Sequence, residues 1–286
     1  MEIYTLEKQH EELYEEFRQI CIINREKIIT RMVSFIRNIY EDSGLNTAIV
    51  GASGGVDSSL TATLATMALG PENILLVKLP YEGLTSGESS QYVDLLARAC
   101  AIPGRNIFEI AINKAVDASL VQLRNAGFEL ADLDIGNAMA RERMKMLFAI
   151  ARVRRGMVLD TCNLTEILLG YLTKFGDGAS DLNPVGNIFK TWVWILADYA
   201  GVPDKIVQRI PTAELSADQT DESDLGVAYP AADLILWLRY GKKIPCLKED
   251  LTGRYSFPLR IVDTLERKVR MNRHKSSPTP VCEIKL

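Results

Sequence analysis

The sequence predicts an α/β fold, a parallel twisted sheet flanked by helices on both faces. Three observations lead there. Short β-branched apolar runs alternate with longer stretches of helical periodicity. Such alternation puts parallel strands side by side, because right-handed crossovers return each helix to one or other face of the sheet. A glycine-rich turn joins the first run to the helix after it, at the strand end where open sheets of this kind bind their ligands.

Glu7 to Tyr40 reads as a long packing helix, acidic at first and then apolar at Ile20, Ile23, Ile28, Met32, Phe35 and Ile36. Glu11, Glu12, Glu15 and Glu16 read as a solvated face. Thr47–Gly51 is the first buried strand. Helical spacing resumes at Leu60, Leu64 and Met67. Between them lies Ser53-Gly54-Gly55-Val56-Asp57-Ser58-Ser59. At a strand-to-helix turn the first helical N–H groups lack internal partners and carry the positive end of the dipole, so an anion is stabilised there. Gly54 and Gly55 allow close backbone approach, and Ser53, Ser58 and Ser59 offer hydroxyls. Asp57 would repel a phosphate unless a divalent cation lay between them, which points to magnesium.

Further strands are expected at Asn73–Leu79, Asn106–Ile110 and Gly156–Thr161. Helices are expected at Ser86–Cys100, at Asn113–Asn125 with Val116, Leu120 and Leu123 on one face, and at Gly136–Arg155. Phe128–Ile135 reads as an acidic connector. Asn163 begins a helix with Glu166 in its first turn, which sets Thr161 and Glu166 near one strand end. Tyr171–Pro184 is a glycine- and aspartate-rich loop, and a long polar loop inside a compact domain is more often functional than idle. Lys190 opens a helix whose tryptophans read as packing. Pro211–Leu225 is irregular and acidic. Helices follow around Trp237 and over Tyr255–Asn272, leading to His274-Lys275 and a proline-rich tail.

The 286 residues suffice for one large domain or two small ones, and composition does not separate the two. A net charge of −4 gives no footprint for a nucleic-acid backbone, so no nucleic-acid partner is expected. No membrane association is expected either: no apolar run is long enough to cross a bilayer and the start of the chain has no signal-peptide pattern, which together read as cytoplasmic. Five cysteines without C-x-x-C spacing and two distant histidines suggest free thiols and no zinc site.

Ser-Gly-Gly-x-Asp-Ser resembles the pyrophosphate-binding signature of the ATP pyrophosphatases, which cleave ATP to AMP and pyrophosphate while adenylating a substrate. The downstream series narrows this. Tyr171-Leu-Thr-Lys-Phe-Gly-Asp-Gly178, Asp181, Pro211-Thr-Ala-Glu-Leu215, Gln219-Thr-Asp-Glu222 and Leu225-Gly226 resemble the ammonia-dependent NAD synthetases over about 46–275.

The resemblance implies a Rossmann-like core of the adenine nucleotide alpha hydrolase type. It implies one synthetase domain over 1–286: an N-terminal helical segment at 1–42, a nucleotide-binding core at about 45–225, and C-terminal helices and tail at 226–286, with no glutaminase domain. It further implies amidation of deamido-NAD by free ammonia through an acyl-adenylate, in a homodimer.

Carried over residue by residue, the resemblance gives ATP contacts at Gly51, Ser53, Gly54, Gly55, Val56, Asp57, Ser58, Ser59, Leu60, Thr161, Lys190 and Thr212. It gives magnesium ligands at Asp57 and Glu166, and deamido-NAD contacts at Arg141, Lys174, Asp181, His274 and Lys275. Asp57, Asp181 and Lys190 are the catalytic candidates; Asp181 reads equally as the base for ammonium or as a cap of the loop near Asn183-Pro184.

Two departures stand out. Asp160-Thr-Cys-Asn163 replaces the Gly-Thr-Asp-His of many members, and Lys78 stands where arginine commonly precedes Leu-Pro-Tyr. Another adenylating ligase, a sulfur-transfer enzyme and a non-catalytic nucleotide-binding regulator are the competing readings.

Overall fold

A computed structural model describes residues 3–83, 87–211, 220–242 and 244–284. α1 (Glu11–Ser43) rises about 50 Å at 1.5 Å per residue. β1 (Thr47–Gly51) and α2 (Val56–Leu69) follow, then β2 (Ile74–Lys78), α3 (Gly87–Ala99), β3 (Ile107–Glu109), α4 (Asn113–Asn125), α5 (Asp132–Arg154) and β4 (Gly156–Leu159). α6 (Leu164–Leu169), α7 (Lys190–Tyr199), α8 (Asp204–Val207), α9 (Asp221–Leu225), α10 (Tyr229–Leu236), α11 (Lys248–Thr252) and α12 (Leu259–Ser276) complete the order.

Among the described residues the sheet has four strands in the order β3-β2-β1-β4, every neighbouring pair parallel. Its two faces can be read from β1. Ala48 and Val50 pack with α1, α2 and α7, whereas Ile49 packs on the opposite face with α4 and α5. The period of two along a strand produces that division, and full burial of a side chain such as Ile49 is worth about 1.5–3 kcal/mol. The expected layers are therefore present. Gly156 begins β4 because strand and strand meet tightly there: a Cβ at that position would lie 2.3 Å from the Thr47 carbonyl oxygen.

A third cluster joins the two ends of the chain. Phe17 on α1 packs on Trp192 and Trp237 with ring centroids 5.2 and 5.4 Å apart, so these tryptophans are core. Tyr4 hydrogen-bonds Gly226 and Ala228 through its backbone, and His10 stacks on Phe257.

Several boundaries differ from the sequence reading. α1 buries Phe17, Cys21, Met32, Ile36 and Tyr40, a stripe spaced by four and eleven residues, and this leaves Ile23 and Phe35 off the packed face at 78 % and 42 % exposure. Met67, Leu123 and Tyr199 are likewise exposed. α5 starts inside the acidic connector, at Asp132, where the Asp134 carboxylate accepts the Ala131 N–H at 3.0 Å. Asp221–Leu225 is helical because Thr220 caps it, its hydroxyl accepting the Ser223 N–H at 3.2 Å. α12 begins after Pro258 and carries His274 and Lys275 within the helix.

Candidate functional site

The chain runs β1, β2, β3 to one side and then returns to place β4 on the other side of β1. The crevice beyond the carboxyl ends of β1 and β4 is thus the switch point at which sheets of this class bind ligands. A cavity of about 710 Å³ opens there.

Its floor is the glycine turn. Gly54 has φ +76°, and a Cβ on it would lie 2.7 Å from the Ser89 carbonyl oxygen, so glycine alone fits between the turn and α3. Gly55 is the N-cap of α2 and offers no side chain to its first turn. Gly51, Ser53, Gly55, Val56, Asp57 and Ser58 line the cavity. The Ser53 and Ser58 hydroxyls lie 3.2 Å apart, and Ser53 Oγ accepts the Gly55 N–H at 3.2 Å. Ser59 and Leu60 are fully buried beneath the turn, so the hydroxyl of Ser59 is not offered to a ligand; its Oγ has no hydrogen-bond partner among the described residues.

Three carboxylates converge on one ammonium. Lys190, the first residue of α7, is 2 % exposed, donates to Asp57 Oδ2 and lies 3.5 Å from Glu166 Oε1. The Tyr229 and Trp194 rings lie 5.1 and 5.9 Å from Nζ. Burial alone would favour the neutral amine, but Asp57, Glu166 and Asp221 outweigh it and hold Lys190 protonated, its pKa raised. Burial and the neighbouring Asp57 charge push the Glu166 carboxyl well up. Burial pushes Asp221 up too, against the lowering influence of Lys190. Asp57 and Glu166 are hard-oxygen groups of the kind that suit a magnesium ion taking its remaining ligands from phosphate and water. Among the described residues no three or more acidic, histidine or cysteine side chains are arranged to hold a metal by themselves.

The supporting structure is buried and polar. Asn163 caps α6 and also donates from Nδ2 to Asp57 Oδ1 at 2.9 Å. Asp233 on α10 is fully buried and accepts from Thr165 Oγ1 and the Thr191 N–H, each at 2.6 Å. Thr165 Oγ1 accepts the Lys190 N–H at 3.0 Å, so the start of α7 is fixed by side chains from α6 and α10. Tyr171 and Tyr229 donate to Asp221 at 3.2 and 3.0 Å.

Of the residues expected from sequence, Thr161, Glu166, Lys190 and Lys275 also line the cavity. Lys275 Nζ donates to the Gly170 and Leu172 carbonyls at 2.8 and 3.0 Å. Arg141, Lys174, Asp181 and His274 do not line it. Arg141 Nε donates to the Lys174 carbonyl at 3.3 Å on the outer side of the loop, and His274 is exposed. Asp181 is exposed, and its Oδ2 accepts the Val158 N–H at 2.7 Å, capping the open edge of β4. That contact is with β4 and not with the loop near Asn183-Pro184, and it lies outside the cavity. Thr212 lies outside the described residues.

Other lining residues escaped the sequence reading. Arg209 donates to the Ser53 carbonyl at 3.3 Å and to Ser89 Oγ at 2.8 Å, clamping the glycine turn to α3. Arg143, about 200° round α5 from Arg141, lines the cavity and donates to the Leu79 carbonyl at 3.1 Å. Lys78, noted above as a departure from the family pattern, also lines the cavity and is held by Ser90 and Asp94 at 2.8 and 2.6 Å. Helical phase was the signal for Arg143, since Met139, Ala140 and Leu147, three and four residues away, are among the buried positions of α5. Nothing in the local sequence marks Arg209.

Comparison with known proteins identifies the family. The family model for NAD synthase matches residues 28–279. An NH3-dependent NAD+ synthetase of Methanosarcina acetivorans is 38 % identical over 260 residues, covering 91 % of this chain and 98 % of that protein. One from Pyrococcus horikoshii is 39 % identical over 254 residues, covering 89 % and 93 %. Among solved structures, the NMN synthetase of Francisella tularensis superposes with a TM-score of 0.78 at 27 % identity, covering 91 % of this chain and 99 % of that one. The NH3-dependent NAD synthetase of Campylobacter jejuni gives a TM-score of 0.71 at 23 % identity over 91 % and 99 %, a likeness of fold. With a glycine turn and an acid-bound lysine at the switch point, and with this match over nearly its whole length, the chain belongs to the NAD synthase family.

Proposed function

We propose that this chain amidates deamido-NAD to NAD with free ammonia, consuming ATP and releasing AMP and pyrophosphate. The observation that carries the reading is the convergence of Asp57, Glu166 and Lys190 beside the glycine turn. The nicotinate carboxylate attacks the α-phosphorus, the bond to the bridging oxygen breaks, and pyrophosphate leaves with its electron pair. Ammonia then adds to the acyl carbon, AMP departs and the nitrogen loses a proton.

The first-turn N–H groups of α2 and the Ser53 and Ser58 hydroxyls would hold the pyrophosphate end of ATP, with Thr161 beside it. Thr212 is proposed as an ATP contact from sequence alone. Lys190 would neutralise charge as it grows on the leaving pyrophosphate. Each charge-assisted bond of this kind is worth about 1.5–3 kcal/mol, and every 1.4 kcal/mol or so is tenfold in rate. Asp57 and Glu166 would hold magnesium, whose chemistry is to neutralise the phosphates and polarise the phosphorus under attack.

Lys275 would face the dinucleotide from the cavity wall. Arg141, Lys174, Asp181 and His274 lie outside this cavity, and their contact with deamido-NAD is proposed only where the substrate extends to a partner subunit of a homodimer. Such a biosynthetic enzyme is placed in the cytoplasm.

The likeness to an NMN synthetase supplies a competing acceptor, nicotinate mononucleotide. Purified protein with magnesium, ATP, ammonium and each acceptor in turn decides between them: deamido-NAD is expected to be preferred and to yield NAD, AMP and pyrophosphate in equal amounts. Formation of ADP, or preference for the mononucleotide, overturns the proposal. Asp57→Asn is expected to abolish AMP formation without unfolding the protein. Sedimentation tests the dimer.

A further inference from the structure

The side chain of Asn163 does more than cap a helix. It is fully buried, and its Oδ1 accepts the Glu166 backbone N–H at 3.1 Å, while the backbone N–H of Asn163 donates to Glu166 Oε2 at 3.2 Å. A backbone N–H can only donate, so this contact fixes which amide atom is oxygen and leaves Nδ2 pointing at Asp57 Oδ1, 2.9 Å away. One residue thus spans the ends of β1 and β4: its neutral side-chain amide touches the Asp57 carboxylate, and its backbone N–H touches the Glu166 carboxylate. We infer that Asn163 is a positioning residue that sets the orientation of Asp57 and Glu166 toward the cation they share; the inference rests on the function proposed above.

Capping alone does not require asparagine, because serine, threonine or aspartate would serve at an N-cap. What asparagine adds is a donor with no charge. Asp57 Oδ2 already faces Lys190, and a second cationic donor on Oδ1 would compete with a divalent ion for the same carboxylate. An amide fixes that oxygen and leaves the negative charge in place. The backbone that carries it is itself held, since Asn183 Nδ2 donates to the Cys162 carbonyl at 2.9 Å.

The test separates cap from positioning. Asn163→Ser keeps an oxygen for the Glu166 N–H but cannot reach Asp57. Manganese binding is read by electron paramagnetic resonance with ATP present, beside kcat, the KM for deamido-NAD and the melting temperature. We expect the serine variant to melt close to the wild type, to bind manganese about tenfold more weakly and to lose at least about tenfold in kcat, with KM for deamido-NAD unchanged. Wild-type manganese affinity and kcat in that variant overturn the inference, as does a loss that follows melting temperature alone. Should the serine variant fail to fold, Asn163→Asp keeps both the size and the cap, and a wild-type kcat at saturating metal in it overturns the inference equally. A wild-type enzyme that binds manganese but makes no NAD would refute the proposed function while leaving the manganese comparison decisive for Asn163.

Discussion

Asp233 reaches from α10 to accept the backbone N–H of Thr191 at 2.6 Å, so a buried carboxylate stands at the start of the helix that carries Lys190. Its removal leaves the Thr191 N–H and the Thr165 hydroxyl without an acceptor. Asp233→Ala is expected to cost about 2–4 kcal/mol at pH 7, measured by urea denaturation.

The same residue gives a pH signature. Burial pushes the Asp233 carboxyl up from 3.8 to about 6, against the lowering hydrogen bonds of Thr165 and Thr191. Between those two values the folded protein holds a proton that the unfolded chain has released, so this group adds stability as pH falls from about 6 toward 4 and removes it as pH rises. The full swing is about 3 kcal/mol. The stability difference between wild type and Asp233→Ala should therefore grow on acidification over that window; a difference independent of pH contradicts it.

Lys190→Met keeps most of the volume and leaves Asp57, Glu166 and Asp221 without their ammonium. Breaking such a buried pair should cost about 3–5 kcal/mol at pH 7. The penalty should shrink toward pH 5, because carboxyls raised by burial and mutual repulsion take up protons in the folded state that the unfolded chain lacks. The rate of AMP formation should fall at least about a hundredfold. Thermal melts at the two pH values and a single-turnover assay check both parts.

Gly54→Ala and Gly44→Ala compare a crowded glycine with an open one. Both have positive φ, +76° and +67°, but nothing lies within 4 Å of a Cβ at Gly44. Gly44→Ala should cost about 1–2 kcal/mol from backbone conformation alone. Gly54→Ala should cost about 1–3 kcal/mol more, because its Cβ meets Ser89 backbone, and should also raise the KM for ATP. Denaturant titrations of the pair give the comparison.

Arg209→Ala unclamps the glycine turn from α3. The KM for ATP is expected to rise about tenfold, as loss of one charged hydrogen bond of 1.5–3 kcal/mol implies. An unchanged KM for ATP would show that the turn keeps its shape without the clamp.

The layers of the fold were legible because strand and helix periods differ and the β1 and β2 runs are apolar enough to be buried on both faces. Asp57, Glu166 and Lys190 were legible because turn glycines, a capped helix start and a family pattern all mark them. Arg209 and Asp233 were not, since each acts on a distant segment and its neighbourhood in sequence says nothing of its partner. Asp181 shows the reverse: its loop carries a strong pattern, yet its carboxylate in this chain closes the edge of β4. Ser59 sits in the motif but faces the core, fully buried one position beyond the last lining residue of the turn, Ser58.

The strand order bears on how the protein comes to be active during synthesis. β1 pairs with β2 across the span from Ala48 to Ile74, but with β4 across the span from Ala48 to Met157, about four times as long. Closing the longer span costs about 1.2 kcal/mol more in chain entropy, and it must wait until residues beyond Leu159 have left the ribosome. A nascent chain already carrying the glycine turn therefore lacks Glu166, Asn163 and Lys190, and ATP that meets it finds no partner for Asp57. Competence to spend nucleotide arrives only when the last strand docks.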